Sequence, residues 1–444
     1  MPATSFSLTL PHSLTASDLS TISSTPLHVK DVLKNVVKPL FTATPHPRLH
    51  TETARVLARP ADSQDPFHHQ PWKDHPKLDD VIRWCILNTQ PAHYEQIWHL
   101  LLPPIMTFLD DYQVSFKIRG AYLVSNLLAR VPPELLLRTG VDGLLFTSLT
   151  NALNHLRDSS TPELIRAVVP TTLQLIDLTS PSQFPDATSP CTSSLSPSLN
   201  NVLSTRFTRL STLLSSSILG TVIMYTPAIL PPDPAPAPDT FADPEHAESD
   251  SESITLNSMQ TTPPDGNAPH PTLVAAAHVL PLVIAALGIA AARFLKGIVP
   301  VVTGWLALPF STATSSPSLV AENDIGVVMG TYEDMLLQTE SGPLALHFAA
   351  LRIIHVLLDT CAPRIEPWAT TIVDGMARCW VHCMDVASAD IKPPHIETLQ
   401  KCLQETAVKL SGGCPSIVEN EFKQLLDFNS LLFDGLVANP LRDA

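Results

Sequence analysis

Residues 105–130 read IMTFLDDYQVSFKIRGAYLVSNLLAR. An apolar run with Ile105, Met106, Phe108 and Leu109 stops at the acidic pair Asp110 and Asp111. A second apolar stretch follows and carries Lys117 and Arg119 in its first two turns. The spacing predicts a helix over 114–130 that is apolar almost all round. Ile118, Ala121, Tyr122 and Leu128 share one face, and Phe116, Gly120, Leu123 and Leu127 share another. Only Ser115, Arg119, Asn126 and Arg130 form a polar stripe at helical spacing. A helix with so narrow a wet side has neighbours on two sides and belongs in a stacked helical array. The two carboxylates face a helix N-terminus, which favours negative charge, and are placed to pair with Lys117 or Arg119. Asp110, Asp111, Lys117, Arg119 and Gly120 are therefore expected to form a structural turn, the charged residues fixing the angle between two helices; the alternative is that they contact a partner outright.

Composition supports that reading. The chain has 444 residues, 44% hydrophobic and 16% charged, with only 15 glycines. Few glycines and many Leu, Ala and Ile favour helices over a glycine-turned β protein. The 43 prolines cluster in linkers and at helix starts, where a missing N–H costs little. A net charge of −15 without a basic stripe argues against nucleic-acid binding. The seven cysteines are odd in number, and the Ser/Thr-rich start has no charged region leading into an apolar core. Reduced, buried thiols in the cytoplasm or nucleus are expected.

Along the chain, residues 1–77 read as mostly irregular with one short helix near 28–41. The Pro/His-rich part of this segment belongs to a region, His46 to His99, that holds seven of the 17 histidines. These lack matched Cys or carboxylate spacing, so a solvated loop is expected rather than a metal site. Residues 78–230 form a first helical block. Within it, Gly140 is placed to end one helix and Thr161 to cap another, with Pro162 at the first helical position. Arg119 and Arg166 begin comparable patterns at a spacing in the ~40–47 residue range of helical repeats.

Residues 231–271 are acidic and rich in Pro and Ser, and no Lys or Arg occurs between Arg209 and Arg293. Such a segment cannot bury enough apolar surface to offset ordering, so a disordered linker is expected. Ser249, Ser251 and Ser253 within it read as phosphorylation candidates, or equally as part of a permanently acidic tether. Residues 272–292 contain no Asp, Glu, Lys or Arg, which is long enough to span a bilayer. His278, Pro281 and the many alanines favour a buried pair of array helices instead. Residues 272–444 complete a second helical block, with helices expected near 320–340, 343–361, 365–387, 394–410 and 417–437. The fold class is all-α: a HEAT-like helical-repeat array, an α-solenoid, interrupted by disordered loops.

Catalytic signatures are missing. There is no Gly-rich phosphate loop, G-x-S-x-G elbow or H-E-x-x-H pair, so no catalytic residue, cofactor or metal is expected. Cys379, His382 and Cys383 share a helix face but lack a fourth ligand, and read as buried packing groups. Arg364, Trp368 and Trp380 are candidate partner-binding residues, being of the types enriched at interface hot spots. A core tryptophan is the competing reading.

The stretch LLPPIMTFLDDYQVSFKIRGAYLVSNLLARVPPELLLRTGV, residues 101–141, resembles the signature region of the TELO-two-interacting protein two (Tti-two) family. The shared features are the Pro-bearing helix, the Asp110-Asp111-Tyr112 turn, the Lys117-x-Arg119-Gly120 helix start and the Arg138-Thr139-Gly140 helix end. LGIAAARFLKGIVP at 287–300 and APRIEPWATTIVDGMARCW at 362–380 are similar to that family's C-terminal half. The resemblance runs over about 78–437, and the acidic insert departs from it. It implies a non-enzymatic subunit of the TTT co-chaperone complex, with the other two TTT subunits as partners. It also implies that, with the ninety-kilodalton heat-shock chaperone, the protein supports phosphatidylinositol-3-kinase-related kinases, its clients being reached indirectly. Alternatives from the residues alone are another helical adaptor for transport or trafficking, or an integral membrane protein using 272–292.

Overall fold

A computed structural model describes residues 26–42, 46–50, 52–58, 70–154, 157–180, 197–226, 269–310, 344–387 and 394–443. The expected 320–340 helix and Ser249, Ser251 and Ser253 lie outside these residues. Among the described residues the architecture is helical, and the one β feature is an isolated bridge between Leu49 and Val56. The chain divides into two units, residues 1–221 with 275–293, and residues 222–274 with 294–444.

Unit 1 opens with α1, Pro26–Val32, which runs on through a π turn (Leu33–Val37) into Lys38–Phe41. Then come α2 (Leu78–Leu87), α3 (Tyr94–Leu109), α4 (Val114–Leu128), α5 (Pro133–Thr139), α6 (Val141–Ala152) and α7 (Thr161–Thr179). Helix α8 (Pro197–Thr212) continues through a π turn, and α9 (Pro271–Leu287) belongs to this unit from Ala275 onward. The decisive stretch is central: α2, α3 and α7 all pack on α4, and α6 lies against α7 and α3. Its apolar positions behave as the periodicity requires, with Val114, Ile118, Ala121, Leu123, Val124, Leu127 and Leu128 buried. Tyr122 differs. It was expected on a buried face but is about half exposed and widens the solvent-facing stripe of Ser115, Arg119 and Asn126.

Two details of the helix ends separate propensity from context. Gly140 adopts φ +70°, closing α5 as a left-handed cap and starting α6 from the same residue. Ser160, rather than Thr161, holds the capping position of α7; its N–H binds Asp158 Oδ1 at 2.8 Å while Thr161 is buried. Prolines stand inside α3 (Pro103, Pro104), α7 (Pro170) and α9 (Pro281). Each removes one backbone donor, which tertiary packing must offset.

Unit 2 contains α10 (Leu295–Leu306), α11 (Ala345–Ile365), α12 (Ala369–Ala387), α13 (Pro394–Gly413) and α14 (Lys423–Asp443). Helix α10 packs on α11 and α12, and α13 packs on α11, α12 and α14. Its core holds Trp305, Phe348, Cys379, Cys383, Leu403 and Phe422. His347 is buried in this core and His355 lies half-buried at its edge. His347 donates from Nε2 to the Leu308 carbonyl at 3.1 Å and packs against Phe310. His355 Nε2 meets Thr406 Oγ1 at 2.8 Å, a hydroxyl already donating to Cys402, so the imidazole is the donor. Burial pulls both imidazoles down from 6.5 to about 4.

Leu203–Tyr225, Pro271–Leu306 and Ala345–Val386 are long and apolar enough to cross a membrane. Within the protein itself, 61% of the second apolar window and 67% of the third are buried.

Two outcomes follow from these local structures. Gly140→Ala places a Cβ at positive φ and should lower unfolding free energy by about 1–2 kcal/mol in a urea titration. A neutral effect would mean that the cap relaxes. As pH falls from 6.5 towards 4, the unfolded chain binds protons that folded His347 and His355 refuse. Stability is therefore lost across that window, on the order of 3 kcal/mol per histidine. Melting curves of wild type and His347→Gln between pH 7 and 4 should converge as pH drops.

Candidate functional site

The Asp110–Asp111 turn joins α3 to α4, and each of its carboxylates meets two partners. Asp110 continues the α3 ladder, its N–H binding the Met106 carbonyl at 2.9 Å. Its Oδ2 accepts His46 Nε2 at 2.9 Å and the Ser148 hydroxyl at 3.2 Å. His46 Nδ1 accepts the Arg48 N–H at 3.3 Å, which fixes the tautomer and leaves Nε2 as the donor. One carboxylate thus ties the turn to residues 46–50 and to α6.

Asp111 is more demanding, because none of its side chain is exposed. Its Oδ1 accepts the Gln113 N–H at 2.9 Å, satisfying a donor at the start of α4. The Lys73 ammonium lies 3.0 Å from Oδ1 and 2.8 Å from Oδ2, with 18% of its own side chain exposed. Aromatic faces complete the lysine's surroundings: ring centroids of Tyr112, Phe116 and Trp72 stand at 4.2, 5.0 and 5.3 Å. Ring quadrupoles favour a cation at such distances. Trp72 is itself buried, stacked on Phe41, tilted against Phe108 and edge-on to Phe116.

The expected pairing with Lys117 or Arg119 is replaced by these upstream partners. Lys117 is buried beside the turn; burial pulls its ammonium down, and the charges of Asp110 and Asp111 pull it back up. Arg119 reaches the other way. Its Nη1 is 3.6 Å from Asp79 Oδ1 and donates to the Pro76 carbonyl at 3.3 Å, tying α4 to the start of α2. That pair is solvated, with 40% of the Arg119 side chain exposed. Burial raises the Asp79 carboxyl, and Arg119 opposes the shift. The solvated loop expected around the histidines is corrected at His46 and at Trp72–Lys73: these residues form the wall of the turn.

Gly120 sets the crossing of α3 and α4. A Cβ built there would stand 2.5 Å from Leu109 N and 2.6 Å from Leu109 Cα. Backbone cannot swing aside as a side chain can, so only glycine allows this approach.

In unit 2 the partner-binding candidates separate. Arg364 is exposed and Trp368 half-buried near the α11–α12 junction. Trp380 is a core residue whose indole N–H binds the Leu432 carbonyl at 2.8 Å, so it offers no surface to a partner. Cys379 and Cys383 are buried free thiols, and the hydrogen bond between them, with burial, holds the Cys379 thiol well above its usual range. Among the described residues no three His, Cys, Asp or Glu side chains cluster as a metal would require. On unit 1 a shallow apolar groove of about 850 Å³, lined by Leu128, Pro170, Leu173 and Leu282, ends at the Asp177–Arg206 ion pair. Its lining lacks a nucleophile–base pair.

Helical packing around a charge-locked turn, with these surfaces, defines a scaffold-type helical protein. The chain belongs to the Tti2 family, whose pattern matches residues 9–313. Among curated proteins it is 29% identical over 114 residues to human TELO2-interacting protein 2, covering 25% of this chain and 21% of that protein. The mouse protein of the same name is 28% identical over 87 residues, 20% of this chain and 17% of its own length. The matched stretch thus spans about a fifth of these relatives.

The geometry ranks three substitutions by unfolding free energy. Lys73→Ala strands a fully buried carboxylate and should cost about 3–5 kcal/mol. Gly120→Ala should cost about 1–3 kcal/mol through overpacking. Arg119→Ala should cost under about 1 kcal/mol, as exposed pairs do. Urea titrations placing Arg119→Ala at or above Lys73→Ala would reverse this assignment of the lock.

Proposed function

We propose that the protein is a non-enzymatic scaffold subunit of the TTT co-chaperone complex. The observation that carries this reading is membership of the Tti2 family over most of the chain. The relatives' name records interaction with TELO2, and a TELO2-like protein is accordingly the first partner assigned to this chain. Together with the third subunit and the ninety-kilodalton heat-shock chaperone, the protein acts in the cytoplasm and nucleus to support phosphatidylinositol-3-kinase-related kinases. A helical unit held by an internal charge lock suits this role, since it presents long side-chain surfaces. Arg364 and Trp368, at least partly accessible at a helix junction, remain candidates for contact with a subunit.

A second reading, an integral membrane protein, is favoured by the three long apolar stretches. The extensive burial of two of them within the protein supports the scaffold instead.

Affinity purification of the full chain from its own cells, followed by mass spectrometry, should recover both other TTT subunits in near-equal amounts. Depletion of the chain should lower client-kinase levels several-fold. A stable assembly lacking a TELO2-like protein would overturn the reading. Retention in the membrane pellet after alkaline carbonate washing would favour the membrane alternative.

A further inference from the structure

Helix α14 breaks at Asn429, whose φ of −159° and ψ of 93° are extended rather than helical. The break is built into the sequence. Asn429 Oδ1 accepts the backbone N–H of Leu432 at 3.2 Å, the bond by which an Asn starts a new helix. Both sides of it are anchored. Phe422 is buried before the break, and Phe433, Leu436 and Val437 are buried after it. The Leu432 carbonyl accepts the Trp380 indole at 2.8 Å, and the Gly435 carbonyl accepts the Gln404 amide at 2.6 Å.

Two large apolar side chains stand on this fixed corner. Phe428 is 83% exposed and Leu431 94% exposed, more than any other large hydrophobic among the described residues. A fraying helix end would lack both the cap and the anchors. The sequence flanking the corner is acidic: Asp427 and Asp434 stand beside it against Lys423, with Glu421 further back accepting from the Thr370 hydroxyl. Two identical acidic corners would repel each other, and an anionic lipid surface would repel one. A basic surface would be drawn to it.

We propose that the Phe428–Leu431 corner is a docking plug for a partner polypeptide that offers an apolar cleft bordered by Lys or Arg. Because the corner is preorganised, docking requires little further ordering of this chain. Such a plug needs no assumption about which complex the protein joins.

The test places a benzophenone amino acid at Gln424, one turn before Phe428, in the full chain within its own cells. Irradiation should give a cross-link to a segment of another polypeptide that contains apolar residues and Lys or Arg. The pair Phe428→Ser and Leu431→Ser should reduce that cross-link at least ~10-fold. Its melting temperature should stay within about 2 °C, as is usual for exposed positions. The plug is overturned by cross-linking only to this chain, a second copy or lipid, and equally by no product. It is also overturned if the double variant keeps the cross-link or melts markedly lower, the latter showing that the corner serves the fold. The identity of the cross-linked protein reports separately on the TTT assignment.

Discussion

A carboxylate withdrawn entirely from water is tolerable only with a cation and hydrogen-bond donors already in place. Asp111 is in that position, and the organisation of unit 1 around it follows. Lys73 supplies the charge, the Gln113 N–H supplies a donor, and aromatic rings limit where the ammonium can go. The residues that carry Lys73 must therefore lie against the α3–α4 turn. Trp72 then fills the space between Phe41, Phe108 and Phe116. On the other side of the crossing, Gly120 brings α4 onto the backbone of Leu109 and leaves no slack to absorb a shift. Charge on one side and steric contact on the other hold the same pair of helices.

The helices of this region were legible because apolar periodicity is a local signal. The turn at Asp110–Asp111 could be placed for the same reason, but the need for glycine at position 120 could not, because it depends on the backbone of Leu109 across the crossing. The carboxylates' partners could not. His46 and Lys73 lie far upstream in a stretch with prolines and no periodicity, where composition alone reads as loop. Lys117 and Arg119 were the nearest cations in sequence, but helical geometry sends Arg119 towards Asp79. A buried Trp immediately before a Lys was the one available hint, since an aromatic of that size in an irregular segment seldom stays in water.

In unit 2 the ambiguity was of another kind. Residue type marked Trp380 and Trp368 alike as possible contacts, but only packing separates a core indole bonded to Leu432 from a half-buried one at a junction. The shortage of charge in the α9–α10 and α11–α12 stretches, which makes them resemble membrane spans, also has a packing basis. Helices covered on most sides have few positions left for charged residues. The Asn429 corner was not legible at all, because the 417–437 pattern reads as one uninterrupted helix.

The lock at Asp110 and Asp111 also sets an order of events during synthesis. Residues 46–73 leave the ribosome well before the turn they close, and the Ser148 hydroxyl that shares Asp110 with His46 emerges later still. At about 5–20 residues per second, His46 waits roughly 3–13 seconds for Asp110, and Trp72 has Phe41 at once but waits about 2–9 seconds for Phe108 and Phe116. Throughout that interval His46 and Lys73 are open to a chaperone at the exit tunnel. The segment is made before the turn that fastens it.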